Sequence, residues 1–281
     1  MDGPTILVAS LSVPQPRGRS KARWQYHSRS DLHSKVACWG VCFDLLRQSS
    51  LLRQHVQAGK VVFGVNHEMR DFSTNRKKNL DLVIARPSGP HTTSSPRTLG
   101  ELAAEYDVVL DQVQQQTLQG LPVLQEGSVG AVLVALEAKA TMTAHGKARP
   151  RLYDELNSSH LTVHGASSQA LAVGFVMVNA STTFVSPDLN KRPRQRKIIS
   201  SHTQPAAAAS IIEKVKEMPR RTGPRTSGFD GLAIVVVSLS NDGTPVTLVS
   251  GTPAPQPGDI FYYDNMVTRV ANEYDTTFAS I

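Results

Sequence analysis

The apolar residues of this chain fall into runs and into spaced sets. Five short runs are strongly apolar, which is typical of strands that are largely buried in a sheet. These runs are 60–65, 80–85, 131–139, 170–178 and 232–239. Five other segments predict helices, most clearly the first two, in which apolar residues recur at helical spacing. These segments are 32–56 with a break at Ser49-Ser50, 98–119, 151–160, 206–218 and 259–278.

Strands interleaved with helices predict an α/β fold built on a mixed β-sheet that helices flank on both faces. The helix at 98–119 lies in an insertion between the second and third strands, and the C-terminal helix belongs to an extension. Residues 1–29 combine a short apolar run with prolines and basic residues, and we interpret them as an N-terminal arm or edge strand. Residues 30–281 are predicted to form a single domain with a basic loop at about 187–205.

The run 131–139 ends in a carboxylate, one small residue and an amine. Side chains alternate along a strand, so Glu137 and Lys139 should point to one side, about 7 Å apart by strand rise. A buried ion pair costs desolvation that a metal, a partner or a substrate must offset. The alternative is that the strand simply ends here and its last residues are solvated.

A second carboxylate, Asp81, lies inside the apolar run 80–85, between Leu80 and Leu82. Glu68 follows the first predicted strand. We interpret Glu68 either as a solvated loop acid or as a possible additional acid of the site.

Charge adds a candidate partner. Lysine and arginine exceed aspartate and glutamate by 30 to 23, so the net charge is +7 with histidine neutral. Such a balance favours a polyanionic partner. Several basic residues near the two acidic strands are candidates for binding phosphate, although an ordinary solvated basic face is the alternative for each. They are Lys77, Lys78, His145, Lys147, Arg149 and Arg151.

Other features exclude some classes. The two cysteines, Cys38 and Cys42, are four residues apart on one predicted helical face and are expected to be small buried hydrophobes rather than zinc ligands. No apolar run approaches the ~20 residues of a membrane span, and we expect no signal peptide. The chain is therefore expected to be cytoplasmic.

An acid within one apolar strand, followed by Glu-x-Lys at the end of another, resembles the PD-(D/E)xK nuclease superfamily, which includes most type II restriction endonucleases. The resemblance covers a catalytic core of roughly residues 30–180. It implies a restriction-endonuclease-like order of helix, three strands, helix and a further strand. This sequence departs from the motif at Leu80, where the family name has Pro. The stretch from 87 to 128 is also long for a connection between the two acidic strands.

The resemblance implies that Asp81, Glu137 and Lys139 are catalytic, and that Asp81, Glu137 and the carbonyl of Ala138 hold Mg²⁺, for which Mn²⁺ would substitute. Carboxylates from adjacent strands are hard oxygen ligands that suit Mg²⁺ independently of the resemblance. Lys139 would orient or help to deprotonate the attacking water and stabilise the transition state.

These features lead us to expect a metal-dependent endodeoxyribonuclease that hydrolyses DNA phosphodiester bonds, related to restriction or defence. By analogy, double-strand cleavage favours a homodimer or higher homo-oligomer. Two alternatives stay open. One is a non-catalytic nucleic-acid-binding protein in which Glu137 and Lys139 form a structural ion pair, and the other is a metal-dependent phosphoesterase that acts on small substrates.

Overall fold

The computed structural model describes residues 1–17, 22–89, 96–191, 196–223 and 226–281. The helices of this described chain are α1 Gly3–Ser12, α2 Leu32–Gln48, α3 Ser50–Gln57, α4 Leu99–Glu105, α5 Gln112–Gly120, α6 His145–Ala166, α7 Ala206–Lys216 and α8 Tyr263–Thr277. Its strands are β1 Gln15–Arg17, β2 Ala22–Trp24, β3 Val62–Asp71, β4 Arg76–Pro87, β5 Val129–Thr141, β6 Leu171–Asn179, β7 Thr183–Phe184, β8 Ser200–Ser201, β9 Gly231–Ser238 and β10 Thr247–Leu248.

Six of the described strands form one mixed sheet in the order β10-β9-β6-β5-β4-β3. β3, β4 and β5 form an antiparallel meander, whereas β5, β6 and β9 run parallel to one another. Helix α6 connects β5 to β6, as a parallel pair requires. The predicted α/β class, with a mixed sheet flanked by helices, is therefore confirmed.

Each face of the sheet is covered by a separate apolar cluster. One face packs against α1, α2 and α8, and its cluster includes Leu82, Leu136 and the fully buried Trp39. The other face packs against α6 and α7, and its cluster includes Val83 and Leu156. The central strands read as continuous apolar runs because both of their faces are buried.

The interpretation of residues 1–29 as an arm or edge strand is wrong for residues 3–12, which form α1 with Ile6 and Leu7 fully buried. Pro4 lies in the first turn of α1, where its missing N–H removes no hydrogen bond of the helix. The buried carboxylate of Asp44 on α2 accepts the N–H of Gly3 at 2.7 Å, so a residue far along the chain caps this helix. Such a cap cannot be read from the local pattern.

Several boundaries also differ from the sequence expectation. The helix predicted at 98–119 is two helices, because Asp111 starts α5 with a capping box of its own. The first strand continues to Asp71, so Glu68 lies on a strand rather than in a loop. Helix α6 begins at His145 instead of 151, so three further basic candidates join Arg151 on this helix.

The basic loop predicted at about 187–205 is only partly described. Residues 192–195, which include Arg192 and Arg194, lie outside the described residues. Residues 200–201 form the short strand β8, which pairs with β7. Among the described helices, none combines the length and the apolar character needed to cross a membrane.

The feature that positions the site is the point at which β4 parts from β5. The two strands pair from Pro87 with Val129 as far as Leu82 with Leu136, whereas β4 continues to pair with β3 back to Arg76. Beyond the pair of Leu82 and Leu136, the next N–H of β5 that points toward β4 belongs to Ala138, and it has no partner from the β4 backbone. The side chain of Asp81 takes that place, with its carboxylate accepting the N–H of Ala138 at 2.9 Å.

Replacing Asp44 by alanine should destabilise the fold by about 2–4 kcal/mol, because the N–H of Gly3 and the buried hydroxyl of Tyr263 both lose their acceptor. Urea unfolding measures this change. Asp264→Ala is the control, because that carboxylate is half exposed and pairs only loosely with the terminal amine, so it should change stability by less than about 1 kcal/mol. Equal, small losses in the two variants would show that Asp44 does not hold α1 in place.

Candidate active site

Glu137 is the centre of the site. The side chain is almost fully buried, although it is a carboxylate. Its Oε1 lies 2.6 Å from the Nζ of Lys139 and 3.3 Å from the Nζ of Lys78, so two ammonium groups meet one oxygen. Its Oε2 is buried and has no hydrogen-bond partner among the described residues. One oxygen therefore has two cationic partners, and the other oxygen has none among the described residues.

Asp81 lies beside Glu137 on the neighbouring strand. Burial, together with the charge of Glu137, raises the pKa of Asp81 to about 6, despite the opposing effects of the Ala138 N–H, Lys139 and Ser34. The thiol of Cys38 on α2 lies 3.9 Å from the same carboxylate. Two carboxylates thus share a poorly solvated space in which full ionisation of both is unfavourable.

Lys139 lies on the same face of β5 as Glu137, as strand alternation predicts. Burial on its own lowers the pKa of Lys139, but the charge and hydrogen bond of Glu137, with Asp81 and Glu155, outweigh that effect and raise it. The amine therefore stays charged at neutral pH. About a quarter of the side chain is exposed, so the ammonium group can still reach a molecule in solution.

Glu155 is a further residue of the site, and the sequence pattern did not predict it. This residue of α6 places its Oε2 3.8 Å from the Nζ of Lys139, while its Oε1 accepts from the Nε of Arg151 at 2.6 Å. The spacing of Arg151 and Glu155 is that of an ordinary helical ion pair, so the only signal in the sequence was i,i+4 charge pairing. The packing of α6 on β5 turns this pair into part of the site.

An open cleft of about 610 Å³ is lined by Asp81, Lys139 and Glu155, whereas the buried Glu137 does not line it. Asp81 and the end of β5 form its floor, residues 26–34 form one wall, and the first half of α6 forms the other. Thr141 also lines the cleft, and its Oγ1 is a second buried polar atom that has no hydrogen-bond partner among the described residues. A hydroxyl donor of this kind suits the oxygen of a phosphate.

Only some of the predicted phosphate-binding residues line the cleft. Lys147 and Arg151 line the cleft, as phosphate contacts would require. Lys78 instead forms an ion pair with Glu137 and donates to the backbone carbonyl of Glu155. Lys77 lies on the exposed part of the β3–β4 hairpin, where it pairs with Glu68 at 2.8 Å.

Two of the predicted phosphate contacts do not line this cleft, and Glu68 has other partners than Asp81 and Glu137. His145 is buried, and its Nε2 bonds to the carbonyl of Asn179, because α6 begins there and turns the ring inward. Arg149 points to the other side of the helix, where it donates to Ser210 of α7. Glu68 pairs across the strands with Asn79 and Lys77, so it does not join Asp81 and Glu137.

The donor set is suited to a magnesium ion held by few protein ligands. Among the described residues, no group of three or more His, Cys, Asp or Glu side chains is arranged to hold a metal ion. Mg²⁺, however, commonly takes one or two carboxylates and keeps its waters and substrate oxygens as other ligands. Asp81 and the unpaired Oε2 of Glu137 supply two such carboxylates. The carbonyl of Ala138 faces the same side as its N–H, toward Asp81.

Comparison with known proteins gave no match. No family model matches the sequence, and no similarity was found to a curated protein or to a solved structure.

Replacing Asp81 by asparagine should stabilise the protein at pH 7.5 by about 1–2 kcal/mol, at 1.36 kcal/mol per pKa unit and allowing for solvent in the cleft. The folded-state pKa of Asp81 is raised, so its contribution to stability is complete below about pH 4 and is lost as the pH rises through about 6. Urea unfolding at pH 5 and pH 7.5 measures the difference.

Asp242→Asn is the control, because the pKa of Asp242 is shifted in the opposite direction to that of Asp81. Hydrogen bonds from Ser240 and Thr244 lower the pKa of Asp242 to about 2, so Asp242→Asn should not stabilise the protein at pH 7.5. If Asp81→Asn unfolds more easily than the wild type at pH 7.5, the ionised form of Asp81 is the favoured one and our description of its surroundings is wrong.

Proposed function

We propose that this protein is a metal-dependent endodeoxyribonuclease that hydrolyses DNA phosphodiester bonds at the floor of the cleft. The proposal depends most on Glu137. A buried carboxylate has one oxygen held by two lysines and the other oxygen unpaired, at the point where two antiparallel strands part. A structural ion pair would satisfy both oxygens, because an unmade hydrogen bond costs about 1–3 kcal/mol in a buried place.

The order of elements also supports the proposal. α2 and α3 precede the antiparallel meander of β3, β4 and β5, and then α6 leads to β6, which is parallel to β5. This is the order of helix, three strands, helix and strand that the resemblance to the PD-(D/E)xK superfamily implied. The acid lies on the second strand and the Glu-x-Lys on the third. Other α/β proteins share parts of this order, so it supports the site without deciding the activity.

Asp81, Glu137 and the carbonyl of Ala138 would hold the Mg²⁺, and Mn²⁺ would substitute. When bound, the ion would neutralise negative charge on the phosphate oxygens and lower the pKa of the attacking water. It would also remove the repulsion between the two carboxylates, so that Asp81 ionises at neutral pH.

The remaining residues would act on the substrate. Lys139 would donate to a non-bridging oxygen of the scissile phosphate and orient the attacking water. Lys78 would keep Glu137 in place, and Glu155 would position Lys139. Lys147 and Arg151, on the wall of the cleft, would bind neighbouring phosphates, which sets the position of the DNA but not its sequence preference.

Two other functions remain candidates, each supported by one observation. The 2.6 Å contact between Lys139 and Glu137 is also what a structural ion pair in a nucleic-acid-binding protein would show. The two-carboxylate donor set would equally serve a phosphoesterase that acts on small substrates. A comparison of plasmid nicking with the hydrolysis of a chromogenic phosphodiester distinguishes that enzyme from a nuclease.

We keep a homodimer as part of the proposal, since cleavage of both strands needs two such sites.

The two lysines on Glu137 provide a matched pair of variants. Lys139→Met should lower plasmid nicking in Mg²⁺ by about 10²-fold or more, the scale of one positioned acid–base group, because Lys139 acts on the phosphate and the water. Lys78→Met removes the other ammonium group from the same oxygen and should lower nicking by less than about tenfold. The two variants should lose similar amounts of stability, because each leaves one lysine on Glu137.

Nicking time courses and thermal melts in Mg²⁺ are measured on the same preparations. If both variants lose nicking equally and in proportion to their loss of folded protein, Lys139 belongs to a structural ion pair and the proposed mechanism fails.

A further inference from the structure

The hairpin between β3 and β4 ends in an uncovered aromatic ring. Phe72 is 79% exposed, and among the described residues no other large apolar side chain is as exposed. A single exposed apolar residue needs no explanation in general. This one, however, lies at the end of a two-stranded ribbon that projects beyond the pairing of β4 with β5.

The tip of this hairpin has a fixed shape. The carboxylate of Asp71 accepts the N–H of Ser73 at 2.9 Å and its hydroxyl at 2.7 Å, and it also accepts from Thr74. Side-chain hydrogen bonds from Ser73 and Thr74 hold the pKa of Asp71 down to about 2. Gly165 of α6 lies against this carboxylate, and a Cβ there would come within 2.4 Å of its Cγ. The tip is thus anchored to the body of the protein, which holds Phe72 outward.

Positive charge surrounds the ring. Arg70, Arg76 and Lys77 are all exposed on the two strands of the tip, and of these Lys77 also pairs with Glu68. The guanidinium group of Arg70 lies 5.4 Å from the centre of the Phe72 ring and donates to Asn75. An aromatic ring among arginines is a surface that contacts both bases and phosphates.

We propose that the hairpin tip, residues 70–77, is a second contact for duplex DNA, in which the ribbon enters the major groove with Phe72 against the bases and the three cations on the phosphates. This inference rests on the proposed function for the identity of the partner. The major groove admits a two-stranded β-ribbon. β4 runs from Arg76 at the tip to Asp81 in the site, about 17 Å by strand rise. That span is shorter than one turn of DNA, about 34–36 Å, so one duplex can reach both places.

The test is binding of the full chain to a short duplex in EDTA, so that cleavage plays no part. Phe72→Ser should weaken binding by about tenfold, the scale of burying a Phe side chain against base edges such as the thymine methyl group. Val113→Ser is the control, because Val113 is 69% exposed on α5 and should leave binding unchanged. Unchanged binding by Phe72→Ser, or an equal loss in both variants, overturns the proposal.

The charge is tested by the salt dependence of binding. Arg76→Gln should reduce the slope of log affinity against log salt by about 0.9, the value for one phosphate contact on duplex DNA. Lys60→Gln is the matched control, since Lys60 is exposed just before the opposite end of β3. An unchanged slope for Arg76→Gln shows that the tip does not bind phosphate.

A tryptophan at the tip reports contact directly. Phe72→Trp should show a change in emission when duplex is added, whereas Val113→Trp should not. The two native tryptophans give a constant background, because Trp39 is fully buried and Trp24 is 8% exposed. A response to single-stranded DNA but not to duplex, or a change in self-association of Phe72→Ser in place of a change in DNA binding, would overturn the groove contact. If the wild type binds duplex but Phe72→Ser is unaffected, only this inference fails, whereas a wild type that binds no DNA contradicts the proposed function as well.

Discussion

A carboxylate inside an apolar sheet requires polar or charged partners, and the partners of Glu137 determine the arrangement of the residues around it. The residue is 3% exposed, at the end of a strand whose preceding residues are apolar. Two lysines, one from its own strand and one from the hairpin ribbon, meet its Oε1. Glu155 on α6 then lies near Lys139, so the sheet, the ribbon and the helix all contribute to one charge network. The unpaired Oε2 leaves this network incomplete in the protein by itself.

Asp81 shows a second consequence of the same geometry. β4 and β5 part beside Glu137, and the carboxylate of Asp81 replaces a backbone acceptor for Ala138. A side chain in this position ties the two acidic strands together where their ladder ends. It also brings a second carboxylate close to the first, and burial, together with the charge of Glu137, raises the pKa of Asp81. A divalent cation held by the two carboxylates would offset both effects, which links the fold to the proposed chemistry.

The sequence predicted those parts of the structure that depend on local periodicity. The strand containing Glu137 and Lys139 and the shared side of these two residues followed from alternation in an apolar run. The hydrogen bond between Asp81 and Ala138 depends on the register of strands that are separated by α4 and α5, so no local pattern could establish it. Lys78 and Glu155 join the site through packing across the sheet. The burial of His145 could not be predicted because residue type indicates charge but not burial, and α1 was missed because its cap, Asp44, comes from another helix.

Cleavage of supercoiled plasmid by Glu137→Gln, beside Glu68→Gln, tests the central claim most directly. Both substitutions remove one negative charge, one at the buried centre of the site and the other at an exposed carboxylate paired with Lys77. We expect Glu68→Gln to nick plasmid in Mg²⁺ as the wild type does and EDTA to stop it. We expect Glu137→Gln to be inactive while it binds DNA within a few-fold of the wild type. Nicking by Glu137→Gln at the wild-type rate would contradict the assignment of the active site.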